Sequence, residues 1–135
     1  INLNLISPII LSKKLLPLLL KSQKPVIINV SSIASRSGGA PNSIHYGVAK
    51  AGLNGFTKGL SSLNRKLRVV GIAPSIIDTD FQKKHSTKRR IDKIIKETPL
   101  KRIGSTKDIT NLVEFLASDK ASYISGETIF ITGGR

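Results

Sequence analysis

Two short apolar runs, each closed by small or rigid residues, divide the chain. Val26-Ile27-Ile28-Asn29-Val30 is apolar except at Asn29 and does not alternate. Such a run predicts a strand covered on both faces, as in a parallel sheet. Val69 to Ala73 repeats the pattern and is stopped by Pro74, and Thr128 to Thr132 predicts a final strand. Helical spacing fills the intervals. Across residues 4 to 22, Leu5, Ile9, Leu15, Leu16 and Leu19 recur near the helical period, with Pro17 placed to bend or end the helix. From about Tyr46 to Asn64 a second helix carries Tyr46, Lys50, Leu53, Thr57 and Leu60 along one stripe. Ser105-Thr106-Lys107-Asp108 has the form of a capping box, opening a helix with an apolar stripe at Ile109, Leu112, Val113 and Leu116. Strands alternating with helices predict an α/β fold of three layers around a parallel sheet.

Two polar stretches interrupt this scheme. Ser35 to Ser43 is rich in Gly, Pro and Ser and predicts a loop able to line a pocket. Residues 80 to 104 hold nine of the chain's 22 basic side chains, Lys83, Lys84, Lys88, Arg89, Arg90, Lys93, Lys96, Lys101 and Arg102. A run of this kind is either a solvated face or an attractor for an anionic substrate or carrier.

The candidate chemistry lies at the head of the second helix. Tyr46 and Lys50 are four residues apart, so their side chains stack on one face about a turn apart. An ammonium held near a phenol favours the phenolate and brings that group toward acid/base work at neutral pH. A tyrosine and a lysine at this spacing also occur on many ordinary surface helices. Their position beyond the C-terminal end of a predicted strand is where open α/β sheets place ligands. Ser32, fourteen residues before Tyr46, follows the first strand, and Ser31 is the alternative if the loop runs differently. Read alone, either serine is a turn or capping residue. His45 precedes Tyr46 and points about 100° away from it around a helix, which leaves it structural or beside a substrate.

Several motifs in sequence carry a likeness. NVSS at 29 to 32, HYGVAK at 45 to 50, IAPSIIDT at 72 to 79, PLKRIG at 99 to 104 and FLASDKASYISGETIFITGG at 115 to 134 resemble the C-terminal part of a short-chain dehydrogenase/reductase. The match covers nearly all 135 residues. The resemblance implies part of one Rossmann-like, doubly wound NAD(P)-binding domain, with residues 80–104 as the substrate lid. It implies hydride transfer between nicotinamide and a carbonyl or secondary alcohol, with Tyr46 exchanging the proton and Ser32 orienting the carbonyl oxygen. Lys50 would support Tyr46 and bond the nicotinamide ribose. Asn4 would hold a water that links Lys50 to solvent, with Asn2 as the alternative register; an N-cap is the structural alternative for either. Pro74, Ser75, Ile77 and Thr79 would line the nicotinamide site beside Tyr46 and Lys50. Ser75 stands where the family favours glycine, which serine can replace if its φ is negative. The general look of the chain resembles 3-oxoacyl-carrier-protein reductases and glucose or polyol dehydrogenases alike. Dimers or tetramers built on the two long helices are also implied.

Composition narrows the remaining classes. With no cysteine, disulfides and thiolate metal sites are excluded. No apolar run reaches the length of a membrane span, because Leu15 to Leu20 is interrupted by Pro17 and flanked by lysines. No secretory pattern is visible, so the cytoplasm is the default location. The net charge is +14, and residues 1 to 77 contain ten basic side chains and no acidic one. That excess raises polyanion binding, but aromatic interleaving is sparse and no nucleic-acid module is recognisable, so neither nucleic acid nor membrane is an expected partner. The Gly-rich turn that brings backbone to a pyrophosphate, and the residue that would choose NAD or NADP, are not found in these residues. This predicts a portion of a longer protein whose first strand presents an apolar edge. The alternative function is a truncated or degenerate, non-catalytic relative that acts by binding.

Overall fold

The structure is a computed structural model describing residues 1–135. A π-helical turn at Asn2–Ile6 leads into α1 (Ser7–Leu19), followed by β1 (Val26–Val30), a short helix α2 (Ala34–Ser37), α3 (Ile44–Ser61) and β2 (Arg68–Pro74). Then come α4 (Asp80–His85), α5 (Lys88–Glu97), α6 (Thr106–Ala117), a 3₁₀ turn at Asp119–Ala121 and β3 (Thr128–Ile131). The three strands form one parallel sheet in the order β1-β2-β3, with Val26 opposite Arg68 and Gly71 opposite Thr128.

The strands are where the apolar runs place them. β2 is covered on both faces from Val69 to Ala73, and its alternating side chains divide the core. Val70 and Ile72 pack with Leu116 and Ala121, joined by Ile109, Leu112 and Val113 of α6. Val69 points the other way, into Leu60 and Leu67 with Leu16, Leu20 and Phe56. Helix α6 therefore covers one face, and α1 and α3 the other, giving the three-layer αβα fold. β1 joins both clusters through Ile28 and Ile27. It is only half-buried because β2 is its sole neighbour. Ile27, Ile28 and Asn29 line a cleft of about 650 Å³ shared with Leu3, Leu11, Leu15 and Leu19, which is the apolar edge that the sequence predicts.

Three local expectations are corrected. The helix predicted over residues 4 to 22 is a π-helical turn followed by an α-helix; Pro17 lies inside it, two residues before its last residue. Neither Asn2 nor Asn4 is an N-cap, since Ile1 and Ile6 occupy those positions. The loop predicted from Ser35 begins as helix α2, ended by Gly38 at φ 80°, a left-handed geometry that glycine adopts at little cost. The capping box is present as predicted: Ser105 Oγ accepts from the Asp108 N–H, and the Asp108 carboxylate accepts from the Ser105 N–H at 2.7 Å.

Candidate active site

The C-terminal ends of β1 and β2 deliver the loops that meet the head of α3. Pro74 ends β2, and its carbonyl accepts from the Ile33 N–H at 2.9 Å, tying the loop after β1 to the loop after β2. A glycine brings the next wall close. A Cβ at Gly47 would overlap the Gly38 carbonyl oxygen and lie 2.9 Å from the Gly39 nitrogen. Only a bare Cα lets that loop lie on α3 one residue after Tyr46.

Ser32 and Tyr46 line one cleft of about 670 Å³, together with Ser75 and Ile76, Phe81 of α4, and Arg90, Lys93 and Ile94 of α5. The two serines separate cleanly. Ser31 is buried, and its hydroxyl donates to the Lys50 carbonyl at 3.1 Å. Ser32 Oγ accepts from the Ala34 N–H at 3.2 Å, so its own proton remains free to donate into the cleft. Of the two serines, only Ser32 keeps a free hydroxyl proton and lines the cleft.

Lys50 lies a turn below Tyr46 and is buried at 9% exposure. Its Nζ donates to the Val30 carbonyl at 2.7 Å and stands 5.7 Å from the centre of the Tyr46 ring. Burial holds the Lys50 ammonium below its ordinary value by withdrawing it from water. Asn4 is half-buried on the π-helical turn that packs against α3 through Leu5 and Gly52, and like Lys50 it is not among the residues lining the cleft. His45 is exposed.

The loop after β2 supplies unengaged main-chain groups. Ile77 forms a parallel bridge with Gly104, in which the Ile76 carbonyl accepts from Gly104 at 3.0 Å and the Asp78 N–H donates to Gly104 at 2.7 Å. That pattern turns the N–H and C=O of Ile77 away from Gly104, and neither has a hydrogen-bond partner. Thr79 caps α4 by accepting from Gln82 at 3.3 Å, which leaves its hydroxyl proton free. Ser75 has negative φ, since Lys101 is the sole non-glycine at positive φ; the serine fits the backbone without strain. Ser75 and Ile76 of this loop line the cleft with Ser32 and Tyr46, while Ile77 and Thr79 follow just beyond its lining.

Comparison with known proteins fixes the family. Residues 1–135 match the family profile described as enoyl-(acyl carrier protein) reductase. A 3-oxoacyl-(acyl-carrier-protein) reductase of Rickettsia felis is 40% identical over 99% of this chain and 56% of its own length. The chain belongs to the short-chain dehydrogenase/reductase family. It spans about half the length of the curated relatives it matches. Among solved structures, a short-chain glucose/ribitol dehydrogenase of Brucella melitensis superposes with TM-score 0.88 at 37% identity, over 97% of this chain and 52% of that one. A 7α-hydroxysteroid dehydrogenase complexed with NADH and 7-oxo glycochenodeoxycholic acid superposes at 0.89 with 33% identity, over the same shares of each chain. The Rossmann-like fold predicted from the motifs is therefore the fold of this short-chain member.

Two features of the site have no local signature in the sequence. The free N–H and C=O of Ile77 depend on its pairing with Gly104, 27 residues on. The hold of Lys50 on the Val30 carbonyl depends on β1 meeting α3.

Proposed function

We propose that the chain carries the proton-transfer site and part of the cofactor site of an NAD(P)-dependent oxidoreductase that interconverts a carbonyl and a secondary alcohol. The observation that carries this reading is the pair of free hydroxyls, Ser32 and Tyr46, facing one cleft above the buried Lys50. A nicotinamide cofactor, when bound, supplies the hydride. Ser32 donates a hydrogen bond to the substrate carbonyl oxygen and orients it. Tyr46 passes its phenolic proton to that oxygen as negative charge develops there. The Lys50 ammonium, 5.7 Å from the ring, stabilises the charge left on the phenol. The free N–H and C=O of Ile77 and the Thr79 hydroxyl would hold the carboxamide end of the cofactor. Pro74 and Ser75 would line the same site, and Tyr46 and Lys50 would bind the nicotinamide ribose. Asn4 acts at a distance, as a water-holding group on the π-helical turn. Residues 1–135 serve as part of one NAD(P)-binding domain, with residues 80–104 as its lid.

Within this reaction class a 3-oxoacyl thioester on an acidic carrier is the favoured substrate. Arg90 and Lys93 of α5 and Arg135 border the cleft. Glu97 is the one acidic group beside them, with its carboxylate 3.8 Å from Lys93 and 3.6 Å from Arg135. Arg90 has no acidic partner. A cationic rim draws an acidic carrier by long-range attraction that salt screens. The test is reduction of a carrier-linked 3-oxoacyl thioester by the intact protein with NADH or NADPH, against the same thioester on a neutral short thiol. The carrier substrate should lose several-fold in kcat/KM between low and high salt while the neutral one stays level. Equal rates at both salt concentrations would remove the carrier. Failure to oxidise either nucleotide with any ketone would remove the oxidoreductase reading.

A further inference from the structure

The loop that presents Ser32 is held by two side chains outside the cleft's proposed machinery. Ser35 Oγ donates to the Ser32 carbonyl oxygen at 2.7 Å, and Asn54 Nδ2 donates to Ser35 Oγ at 2.9 Å. A hydroxyl has one proton to give. Because that of Ser35 goes to Ser32, Asn54 must meet Ser35 with its amide nitrogen, which sets the orientation of the amide. The other end, Asn54 Oδ1, is then buried with no partner. An unpaired buried acceptor is unfavourable, and an apolar side chain of similar shape would avoid it. Fold stability alone therefore argues against an asparagine here. Its one useful bond runs to the serine loop.

Position on α3 gives that bond a meaning. Tyr46, Lys50 and Asn54 follow one another at intervals of four, so all three project from one face of the helix. Lys50 grips the Val30 carbonyl, Ser31 Oγ donates back to the Lys50 carbonyl, and Asn54 reaches the Ser32 carbonyl through Ser35. Three consecutive residues are thus fastened to the helix that carries the phenol. We propose that Ser35 and Asn54 are positioning residues, a two-link clamp that sets the Ser32 hydroxyl against the Tyr46 phenol. The clamp rests on the active-site reading above and adds to it two residues that touch neither substrate nor cofactor.

Asn54→Leu removes the donor together with the orphaned oxygen, whereas Ser35→Ala breaks the link at its centre. In the intact protein, each variant should lower kcat about 10-fold or more with the cofactor dissociation constant unchanged, because displacement at a reacting centre is costly even when small. Asn54→Leu should melt no lower than the parent. Ser35→Thr, which keeps the hydroxyl, should restore kcat, and the double variant should be no slower than the worse single one, as for two links of one chain. Unchanged kcat in both single variants would overturn the clamp, as would equal losses of kcat, cofactor affinity and melting temperature without rescue by threonine. Tyr46→Phe, measured alongside, separates this from failure of the active-site reading. If that variant turns over normally the site itself is misassigned, and amide exchange then decides the clamp. Faster exchange of the Ala34 N–H in Ser35→Ala and Asn54→Leu supports it, and unaltered exchange overturns it.

Discussion

At the scale of single residues, the site depends on what each polar group has already spent. Ser31 uses its hydroxyl on α3 and Ser32 does not, though the two are adjacent and chemically identical. Lys50 pairs burial with one hydrogen bond, and its folded-state value is held below 10.5. Between that lowered value and 10.5 the unfolded chain binds a proton that the folded chain has released, so this group makes stability rise with pH through that window. Lys50→Met should flatten that rise in denaturant titrations of the intact protein, and an unchanged slope would mean that Lys50 is solvated. Gly47 is the second residue-scale constraint. Gly47→Ala forces the Gly38–Gly39 backbone off α3 and should cost turnover at least about 10-fold, since loop placement at a reacting centre is that sensitive. Near-normal kinetics would show that the loop yields freely.

At the scale of elements, the sequence is legible wherever a local pattern decides the outcome. The apolar runs mark β1 and β2 because a strand covered on both faces cannot alternate. Ser105 and Asp108 mark the start of α6 because the capping bonds span only three residues. Legibility fails where the partner is distant. Helix α2 has no apolar period of its own; it is held by packing on α3 and by Arg36 standing 3.7 Å over the Phe130 ring. The π-helical turn reads as ordinary helix because side-chain spacing does not reveal one extra residue per turn. The pairing of Asn54 with Ser35 crosses 19 residues of chain and cannot be read from either segment. The capping box allows a direct check. Arg102 bonds Asp108 at 2.7 and 3.0 Å, and with the Ser105 bonds it holds the Asp108 carboxyl well below the usual carboxylate range. A depressed acid contributes stability above its unfolded value near 3.8 that is lost as pH falls below it. Asp108→Asn should therefore lower the melting temperature at neutral pH and converge on the parent in strong acid; a constant gap across that range would contradict the ion pair's role. Ser105→Ala should cost about 1 kcal/mol at any pH where the helix forms.

At the scale of the whole molecule, β1 and β3 are the two edges of the sheet, each with β2 as its one neighbour. The β1 edge, with Val30 at 55% exposure, adjoins the apolar cleft lined by α1. Unpaired strand edges beside apolar surface recruit other chains. Residues 1–135 expressed alone should therefore aggregate or unfold without cooperativity, and a soluble, cooperatively unfolding monomer would contradict this. Helices α1 and α3 also expose Leu11, Leu18, Ile44 and Val48. We propose a dimer or tetramer formed through these helices; Leu18→Lys with Val48→Glu should then shift the intact protein toward monomer in sedimentation, and an unchanged assembly would rule it out. The +14 charge is a separate matter, because it sets salt sensitivity and encounter rates while leaving the fold to the core of β2, α3 and α6. The most direct measurement for the molecule as an enzyme site is the Tyr46→Phe variant of the intact protein, assayed for ketone reduction and for cofactor binding together. Turnover should fall about 10²- to 10⁴-fold, the range of a lost general acid, while the cofactor dissociation constant stays within a few-fold. Turnover near that of the parent would contradict the assignment of Tyr46 as the proton donor.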